Sequence, residues 1–248
     1  MKILLNGLCG HMGKEVLKLA ENGYRGAEVV AGVDVFADGL ESVPCAKSFA
    51  DAESAVDCIV DFSHHSLTRD LLSFALENKL PVVLATTGHT PDELALIEAA
   101  GKEIPVFFSA NMSYGVALLV EVAKTVAASM PDADIEIIEK HHNRKIDAPS
   151  GTAKMLVDVL TEVRADAYPV YGRSGQSKRT EKEIGVHSLR MGNVVGEHEV
   201  IVSTASQTLT LKHEAHSRSL FAEGALAAAE FLCGKNAGIY TMKDMVSR

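Results

Sequence analysis

The sequence predicts an α/β fold, with a Rossmann-like parallel-sheet domain and a second α+β domain built on a mixed or antiparallel sheet. Three observations predict this class. Short apolar runs alternate with helical patterns in the first half, a glycine turn joins the first run to the first helix, and later segments alternate at period two. Near-continuous apolar strands separated by helices are typical of a parallel sheet that is covered on both faces.

The first elements predict a βαβ unit. KILLNG is a short apolar run that ends at a glycine, and HMGKEVLKLAENG then places Met12, Val16, Leu17 and Ala20 at helical spacing. AEVVAGVD is the next strand. Strands in AVDCIVDFS, PVVLATTG and IPVFFSA follow, separated by helices in SLTRDLLSFALENK and TPDELALIEAAGKE. This order predicts one parallel sheet with helical crossovers.

Beyond residue 111 the pattern changes. A helical stretch, YGVALLVEVAKTVAASM, leads to the strand DIEIIEKHH, and we interpret EIGVHSLRMG, HEVIVSTAS and QTLTLKHEAH as antiparallel strands. The polar segment 164–183 is predicted to be a mobile loop, and SLFAEGALAAAEFLCGK an amphipathic helix that returns to the first domain. We therefore expect a dinucleotide-binding domain over 1–111 plus 219–248 and a second domain over 112–218.

The composition is that of a globular protein with a sizeable core: 248 residues, 47% hydrophobic and 23% charged. The net charge of −9 argues against nucleic-acid or anionic-membrane partners, because both need a basic surface. Met1 is followed directly by KILLNG rather than by a signal-peptide pattern, and no run of eighteen apolar residues occurs. We expect a cytoplasmic protein that does not span a membrane.

The four cysteines, Cys9, Cys45, Cys58 and Cys233, are far apart in the sequence and form no CxxC pair. This spacing is typical of reduced thiols in a cytosolic protein, and it predicts neither a disulfide framework nor a zinc cluster. The sequence therefore predicts no bound metal.

The glycine turn and a following acid predict a dinucleotide site. GLCGHMG places Gly7, Gly10 and Gly13 between strand and helix, with the spacing GxxGxxG in place of GxGxxG. Glycines allow the tight turn and the close approach of a pyrophosphate, and the helix start offers N–H groups to it. Asp34 ends the second strand 21 residues after Gly13, the offset of an acid that bonds the adenosine ribose. The alternative is a structural turn with an ordinary strand-end acid.

The residues around Asp34 favour NADH over NADPH. A carboxylate repels a 2′-phosphate, and Val35 follows Asp34 where an arginine serves NADP. His11 and Lys47 remain candidates for contact with a phosphate, so both coenzymes stay open at this point.

Two further strand ends, DFSHHS and ATTGHT, lie at the same predicted edge of the sheet. Ligands bind beyond the carboxyl ends of parallel strands, so we assign Phe62 and Ser63 to the adenosine side and Thr86, Thr87 and Gly88 to the nicotinamide ribose. For each of these residues taken alone, the alternative to a cofactor contact is an ordinary role in a turn or in capping a helix. The two histidines of DFSHHS are interpreted as surface residues.

The segment EKHHNRKIDAPSGTA places two histidines and several cations directly before a helix. Ser150 and Thr152 are N-cap candidates, and the helix start, Lys145 and His142 together offer the donors that hold carboxylates. His141 points elsewhere on an extended backbone, and it is a candidate general acid because imidazole titrates near physiological pH.

Three other interpretations of this segment compete with an anion site. The first is that the cations lie on a solvated loop without a ligand. The histidine pair suits a metal, although adjacent residues on a strand diverge. Ser150 suits a nucleophile, although SGT lacks the flanks of a nucleophile elbow. A local cluster of cations in an acidic chain favours a small anionic ligand.

The same segment resembles the signature E-x-H-H-x-x-K-x-D-A-P-S-G-T-A of the dihydrodipicolinate reductase (4-hydroxy-tetrahydrodipicolinate reductase) family and matches it throughout. The resemblance covers essentially the whole chain in the family's order. Its further motifs are GxxGxMG, VDFS, ATTG, ANMSYG at 110–115, RMGNVVGEHEV, HEAHSRSLFAEGALAAAEFL and GIYTM.

This resemblance implies NAD(P)H-dependent reduction of a cyclic dicarboxylate imine to tetrahydrodipicolinate in the diaminopimelate–lysine pathway. It implies His141 as the proton donor and Lys145 as its companion cation. The substrate carboxylates would be held by His142, Lys145, Ser150, Gly151 and Thr152. The cofactor contacts would also include His11, Met12, Ala110, Asn111 and Met112. The resemblance further implies a homotetramer built through the sheet of the second, substrate-binding domain.

Three positions depart from the family's common pattern. Met112 stands where phenylalanine is frequent, and Val35 and His11 stand where many members carry a basic residue. These departures concern cofactor preference. Two other functions stay open from the residues: a dehydrogenase of another small dicarboxylate or amino-acid precursor, and a non-catalytic NAD(H)-responsive regulator.

Overall fold

The computed structural model of the chain describes residues 1–39, 41–53 and 55–247. They form two compact units, the first comprising Met1–Tyr114 with Arg218–Arg248 and the second Gly115–Ser217. The boundaries expected from the sequence, after residues 111 and 218, differ from these by three residues and one residue. Among the described residues, no helix has the length and apolar character needed to cross a bilayer.

The elements have the following bounds. The strands are β1 (Lys2–Asn6), β2 (Glu28–Val33), β3 (Cys45–Ala46), β4 (Cys58–Asp61), β5 (Val82–Leu84), β6 (Pro105–Phe108), β7 (Asp134–His141), β8 (Tyr168–Tyr171), β9 (Glu183–Arg190), β10 (Gly196–Ser203), β11 (Thr208–Ala215) and β12 (Gly238–Tyr240). The helices are α1 (His11–Glu21), α2 (Thr68–Asn78), α3 (Pro91–Ala100), α4 (Tyr114–Ser129), α5 (Gly151–Val163), α6 (Ser219–Leu232) and α7 (Met242–Val246).

A seven-stranded parallel sheet forms the centre of the first unit, in the order β12-β6-β5-β4-β1-β2-β3. Its central strands, β1 and β4, are apolar and buried along almost their whole length, as strands covered on both faces must be. The predicted Rossmann-like class is therefore confirmed. The hydrophobic pattern did not predict β12, because a strand of three residues is too short to show a period.

Helix α6 packs in the first unit against β4, β5 and β6. It is buried on most of its sides, so the prediction of an amphipathic helix is wrong; the buried positions are Ala222, Gly224 to Ala229, and Leu232. A Cβ on Gly224 would lie 1.7 Å from the carbonyl oxygen of Met112. Small residues are required here because they let the helix approach a neighbouring backbone closely.

A five-stranded mixed sheet forms the second unit, in the order β11-β10-β7-β9-β8. β10 is antiparallel to β7 and β11, whereas β9 is parallel to β7 and β8. The predicted α+β class is confirmed, but the interpretation of EIGVHSLRMG as an antiparallel strand is wrong. Period-two alternation reports which face of a strand is buried and carries no information on strand direction.

The segment 164–183 is also different from its prediction, because it contains the edge strand β8. Arg164 fixes the start of this segment by donating to the carbonyl oxygens of Ala127, Met130 and Ala133. An edge strand tolerates Pro169, and neither face of β8 is fully buried. The sequence of such a strand therefore lacks the alternation by which strands are recognised.

Helices α4 and α5 cover one face of the second sheet. Ile135 and Ile137 of β7 pack there with Val120 and Leu156, while alternate residues of β7 are half-exposed. The same alternation carries Glu139 and His141 to the covered face, at the carboxyl end of the strand.

Candidate active site

The end of β7 holds a buried carboxylate–imidazole pair. Glu139 and His141 are 0% and 9% exposed, and Glu139 Oε2 lies 2.5 Å from His141 Nδ1. The carboxylate accepts the Nδ1–H hydrogen bond, so Nε2 is the ring nitrogen that remains available to exchange a proton. This is the arrangement that orients a general acid.

Several donors keep Glu139 ionised. Arg190 donates to Oε1 and Oε2 at 2.8 Å each, and the Ser150 N–H donates to Oε1 at 3.1 Å. Burial alone would raise the pKa of Glu139, but the hydrogen bonds from Arg190 and His141 outweigh it and lower the pKa to about 2. Glu139 is therefore an ionised carboxylate near neutral pH.

Arg190 also ties this pair to the loop between β7 and α5. It donates to the carbonyl oxygen of Asp147 at 2.6 Å. Within the loop, the N–H of Lys145 donates to the carbonyl oxygen of His142 at 3.1 Å, which closes a turn. One guanidinium thus links the buried acid to the loop that carries the predicted cations.

A second histidine packs beside His141. The ring centroids of His141 and His198 are 5.2 Å apart, and His198 Nε2 lies 2.9 Å from Ser150 Oγ. Burial first, and then the field of His141, lower the pKa of His198 to about 4. His198 is therefore neutral near neutral pH, and it adds no positive charge beside His141.

Gly196, on the neighbouring strand β10, leaves room for the imidazole of His141. A Cβ at position 196 would lie 3.1 Å from His141 Nε2. Real Cβ contacts are rarely this close, so a larger residue would displace the nitrogen that we assign to proton transfer.

Lys145 is held by an ion pair with a more exposed partner. Its Nζ lies 2.8 Å from Asp147 Oδ1, and the two side chains are 21% and 55% exposed. The hydrogen bond from Lys145 lowers the pKa of Asp147. Pairs at this level of exposure are weak, so Lys145 can exchange Asp147 for the carboxylate of a ligand.

The predicted N-cap of α5 is Ser150, whose Oγ accepts the N–H of Ala153 at 3.2 Å. Ser150 is only 2% exposed, so its hydroxyl and N–H serve the fold and offer little surface to a substrate. Gly151 is exposed, and a Cβ there would meet no atom within 4 Å. Thr152 and His142 are half-buried. Gly151 is thus the most exposed of the predicted carboxylate donors, and the Lys145 side chain is 21% exposed.

In the first unit, the three glycines of the turn each meet a steric limit. Gly7 has φ +84° and donates its N–H to the carbonyl oxygen of Val33 at 2.8 Å. A Cβ added at position 13 would lie 2.2 Å from the carbonyl oxygen of Gly7, and a Cβ added at position 10 would lie 3.1 Å from the same oxygen. Gly10 is the N-cap of α1, so no side chain caps the start of the helix. His11 is exposed there, and Met12 is half-buried.

Asp34 is held in place at the end of β2. Its Oδ2 accepts the N–H of Cys9 and its Oδ1 the N–H of Phe36, both at 2.9 Å. The cavity beside it, about 380 Å³, is lined by the predicted residues Gly7, Gly10, Asp34, Phe62 and Ser63, and also by Phe36 and His64. Phe36 is 82% exposed, and its sequence position gave no signal that an aromatic ring would stand at this cavity.

The turn after β4 is organised by buried Asp61, which sequence reasoning missed. Asn6 Nδ2 and Ser63 Oγ donate to Asp61 Oδ1 at 2.7 and 2.6 Å, and burial raises the pKa of Asp61. Of the two histidines interpreted from the sequence as surface residues, His64 is exposed, whereas His65 is half-buried and bonds Glu93 through Nδ1 at 2.9 Å.

The residues predicted for the nicotinamide side differ in their exposure. Thr87, Gly88 and Ala110 are exposed and Asn111 is half-buried. Thr86 and Met112 are only 6% and 2% exposed. Met112 lies under α6 and offers almost no surface, so the structure does not support the predicted contact between Met112 and the cofactor.

These features fit a dinucleotide. A Cβ would fill the glycine turn, the uncapped start of α1 offers N–H groups to phosphate, and an oriented carboxylate stands at the end of the second strand. Gly7, Gly10 and the start of α1 would hold the pyrophosphate, and Asp34 the adenosine ribose.

Two family models match the chain: dihydrodipicolinate reductase, N-terminus, over residues 1–112, and dihydrodipicolinate reductase, C-terminus, over residues 115–246. The chain belongs to the dihydrodipicolinate reductase family. Membership makes it an oxidoreductase, and with the fold it implies a nicotinamide cofactor.

Relatives agree with this family, and a solved structure shares the fold. Two proteins named 4-hydroxy-tetrahydrodipicolinate reductase are 43% identical, one from Clostridium novyi over 247 residues (99% of this chain, 98% of the relative) and one from Caldanaerobacter subterraneus subsp. tengcongensis over 259 residues (100% and 99%). The dipicolinate-bound dihydrodipicolinate reductase from Paenisporosarcina sp. TG-14 has the same fold, with a TM-score of 0.80 at 24% identity and 99% coverage of both chains.

Sequence reasoning assigned no role to four residues that this reductase fold gathers around His141: Glu139, Arg190, Gly196 and His198. Their signal was present, because Glu139 opens the family signature and the other three fall within RMGNVVGEHEV. What the linear sequence lacked was the pairing of β7 with β9 and β10, which brings these segments together.

Proposed function

We propose that this chain catalyses the NAD(P)H-dependent reduction of 4-hydroxy-tetrahydrodipicolinate to tetrahydrodipicolinate, in diaminopimelate and lysine biosynthesis. Curated relatives that cover nearly the full length carry the name of this reductase. The observation that carries the proposal is the hydrogen bond between buried Glu139 and His141, four residues before the cation Lys145.

The substrate is a dicarboxylate, and we assign its carboxylates to the loop before α5 and to the start of that helix. Lys145 exchanges its ion pair with Asp147 for one with the substrate. The N–H groups of Gly151 and Thr152, at the positive end of the helix dipole, donate hydrogen bonds to the second carboxylate. His142 adds a donor from the turn. Two anchored carboxylates fix the orientation of the ring.

His141 supplies the proton in this mechanism. In the net conversion the 4-hydroxyl leaves as water with a hydrogen of the neighbouring ring carbon, and the conjugated imine that remains takes up one hydride and one proton. A bound NADH or NADPH supplies the hydride. His141 gives up the proton from Nε2. Before this transfer, the hydrogen bond from Nδ1 to Glu139 stabilises the imidazolium, and after the transfer the same bond keeps the remaining proton on Nδ1. Lys145 stabilises the electron density that builds on the conjugated imine.

We propose NADH as the preferred coenzyme. Both carboxylate oxygens of Asp34 are positioned by backbone N–H groups, which leaves a fixed negative charge where a 2′-phosphate would lie. Val35 follows and brings no cation. The exposed ring of Phe36, at the same cavity, offers a surface on which an adenine can stack.

We also propose that the enzyme is a cytoplasmic homotetramer. The face of the second sheet opposite α4 and α5 carries half-buried Ile138 and Ile201, and a network in which Lys140 pairs with Glu197 and Glu199 at 3.1 and 3.0 Å. A sheet face of mixed apolar and paired charged residues is suited to self-complementary packing.

The test follows NADH absorbance with enzymatically generated substrate, and repeats it with pyridine-2,6-dicarboxylate as competitor. We expect His141→Gln to lower kcat by about 10²- to 10⁴-fold with little change in KM, because it removes a general acid. Lys145→Ala is expected to raise KM and lower kcat together. Lys154→Ala, at an exposed position of α5, is the matched control.

Two results would overturn the proposal. Wild-type rates in both variants would remove His141 and Lys145 from the chemistry. NADH binding without oxidation in the presence of the substrate would favour the NAD(H)-responsive regulator instead.

A further inference from the structure

Two thiols and a carboxylate meet beside the glycine turn of the first unit. The sulfurs of Cys9 and Cys45 and a carboxylate oxygen of Glu41 lie within 4.8 Å of one another. Cys9 Sγ is 3.6 Å from Glu41 Oε1. The cysteines are 36 positions apart in the sequence, so their spacing gave no sign of this cluster. The parallel pairing of β1, β2 and β3 brings them together.

The donors of this cluster are held by the surrounding backbone. Glu41 Oε1 accepts the N–H of Asp38 at 2.9 Å, and its Oε2 accepts the N–H of Gly39 at 3.0 Å. Cys45 lies opposite Gly32 of β2, where a Cβ would stand 3.1 Å from Cys45 Sγ. A glycine thus makes room for one sulfur, and two N–H groups orient the carboxylate. Such outer contacts are what position metal ligands.

The cluster can be reached from solvent. All three side chains are half-buried. A neighbouring cavity of about 340 Å³ is lined by Cys9 and Glu41 together with Lys14, Phe36 and Asp38. An ion entering through it meets one cation, Lys14, and two carboxylates, so the net field at the cluster attracts a cation.

We propose that Cys9, Glu41 and Cys45 bind one Zn²⁺ ion, with a water molecule as the fourth ligand. Thiolate sulfur with one carboxylate oxygen is a donor set that suits zinc, in tetrahedral geometry. Zn–S bonds of about 2.3 Å place two sulfurs about 3.8 Å apart. The observed spacing therefore needs a contraction of no more than about 1 Å, which rotation of the side chains provides.

Binding of the ion leaves the net charge of the cluster unchanged. Binding displaces two thiol protons and adds two positive charges, so the three donors carry −1 before binding and the donors together with the ion carry −1 after it. The ion ties the segment after β2, which contains Glu41, to the glycine turn that contains Cys9. Cys9 also donates its N–H to Asp34, so the same contact braces the acid assigned to the ribose.

The test measures Zn²⁺ binding to the full-length protein, reduced and freed of metal by chelation, in competition with a chromophoric chelator. We expect one Zn²⁺ per chain and a higher midpoint of thermal unfolding with the ion. Cys9→Ser and Cys45→Ser should each weaken binding on the order of 100-fold, and Glu41→Gln about 10-fold, because each removes one ligand. Cys233→Ser, at an exposed thiol outside the cluster, should bind as wild type.

A second probe reports the ligands directly. Co²⁺ in place of Zn²⁺ should give thiolate-to-metal charge-transfer absorption in the wild type, and this absorption should be lost in Cys9→Ser and in Cys45→Ser. If a serine variant does not fold, the wild-type stoichiometry and Glu41→Gln still decide the question. Absence of tight Zn²⁺ binding in the wild type would overturn the proposal. So would equal binding in all variants, or a Cys9–Cys45 disulfide that forms at once in air and excludes the metal.

Discussion

Glu139 holds His141 by a hydrogen bond of 2.5 Å to Nδ1, and the same carboxylate is held by both terminal nitrogens of Arg190. The imidazole is therefore oriented from one side by a buried, ionised acid, while its Nε2 faces the space left by Gly196. A histidine in this setting has one fixed tautomer when neutral and a stabilised cation when protonated. The carboxylate is thus a positioning residue for the proposed proton donor.

Replacement of Glu139 by Gln is expected to lower kcat more than it changes KM. The amide is similar in shape but removes the charge that stabilises protonated His141, so kcat should fall by about 10²-fold. It also leaves Arg190 without its buried counter-ion, which costs about 3 kcal/mol or more in unfolding free energy. Steady-state kinetics and urea unfolding measure the two effects.

Glu162→Gln is the control for this variant, because Glu162 is 64% exposed and pairs with Lys124 on the surface. Its kinetics and stability should match those of the wild type. An unchanged kcat in Glu139→Gln would show that the pairing of Glu139 with His141 has no part in proton transfer.

The sequence predicted the architecture well where periodicity is strong. β1, α1 and β2 follow from KILLN, the Met12–Val16–Ala20 spacing and EVVAGV, because full burial and helical amphipathicity each leave a clear pattern. The edge elements β3, β8 and β12 were missed, since two to four residues at a sheet edge show no period. Strand direction in the second sheet was missed because burial alternates equally in both directions.

Only those residues of the candidate site that lie in one continuous segment could be predicted from the sequence. His141, Lys145 and the N-cap Ser150 all lie within fifteen residues of EKHHNRKIDAPSGTA. Arg190 and His198 reach that segment through strand pairing, which the sequence did not specify. For the same reason, the meeting of Cys9 with Cys45 could not be seen in the sequence.

His198 predicts a loss of stability in mild acid. Its pKa is about 4 in the folded chain, first because of burial and then because of His141, against an ordinary value of 6.5. Below pH 6.5 His198 becomes protonated in the unfolded chain, whereas in the folded chain it stays neutral down to about pH 4. The contribution of His198 to the free energy of unfolding should therefore be fully present above pH 6.5 and be lost towards pH 4, by at most about 3 kcal/mol.

Urea unfolding of His198→Gln at pH 7 and pH 4.5 measures this contribution. Glutamine keeps a polar atom near Ser150 but does not titrate, so the variant should lose less stability than the wild type over this interval. His216→Gln, at an exposed histidine, should keep the wild-type slope. A slope in His198→Gln as steep as in the wild type would contradict the assignment.

Asp147 is expected to compete with the substrate for Lys145. The two side chains pair at 2.8 Å, and the exposed position of Asp147 limits the pair to a small free energy. Asp147→Asn should therefore lower KM by about two- to fivefold. Asp158→Asn, at an exposed position on α5, should leave KM unchanged. A large rise in KM in Asp147→Asn would mean that Asp147 orients Lys145 for the substrate instead of competing for it.

Asp34 is expected to set the coenzyme preference. Asp34→Ala removes the acceptor for the ribose hydroxyls and the charge that repels a 2′-phosphate, so the Kd for NADH should rise about tenfold while that for NADPH stays the same or falls. Fluorescence titration of both coenzymes measures this. Asp51→Ala, at an exposed carboxylate away from the turn, is the control. Equal losses for NADH and NADPH would exclude a ribose role for Asp34.

The proposed tetramer should depend on Ile201. Ile201 lies on the sheet face opposite α4 and α5, half-buried within one chain, and Glu199 and Glu197 precede it on the same face. Ile201→Glu adds a carboxylate to a face that a symmetric interface would bury against its own copy, and like charges so placed repel. We expect light scattering to report a smaller assembly for Ile201→Glu and an unchanged one for Ile201→Val. If circular dichroism shows that Ile201→Glu is folded and its mass equals that of the wild type, the oligomer does not use this face.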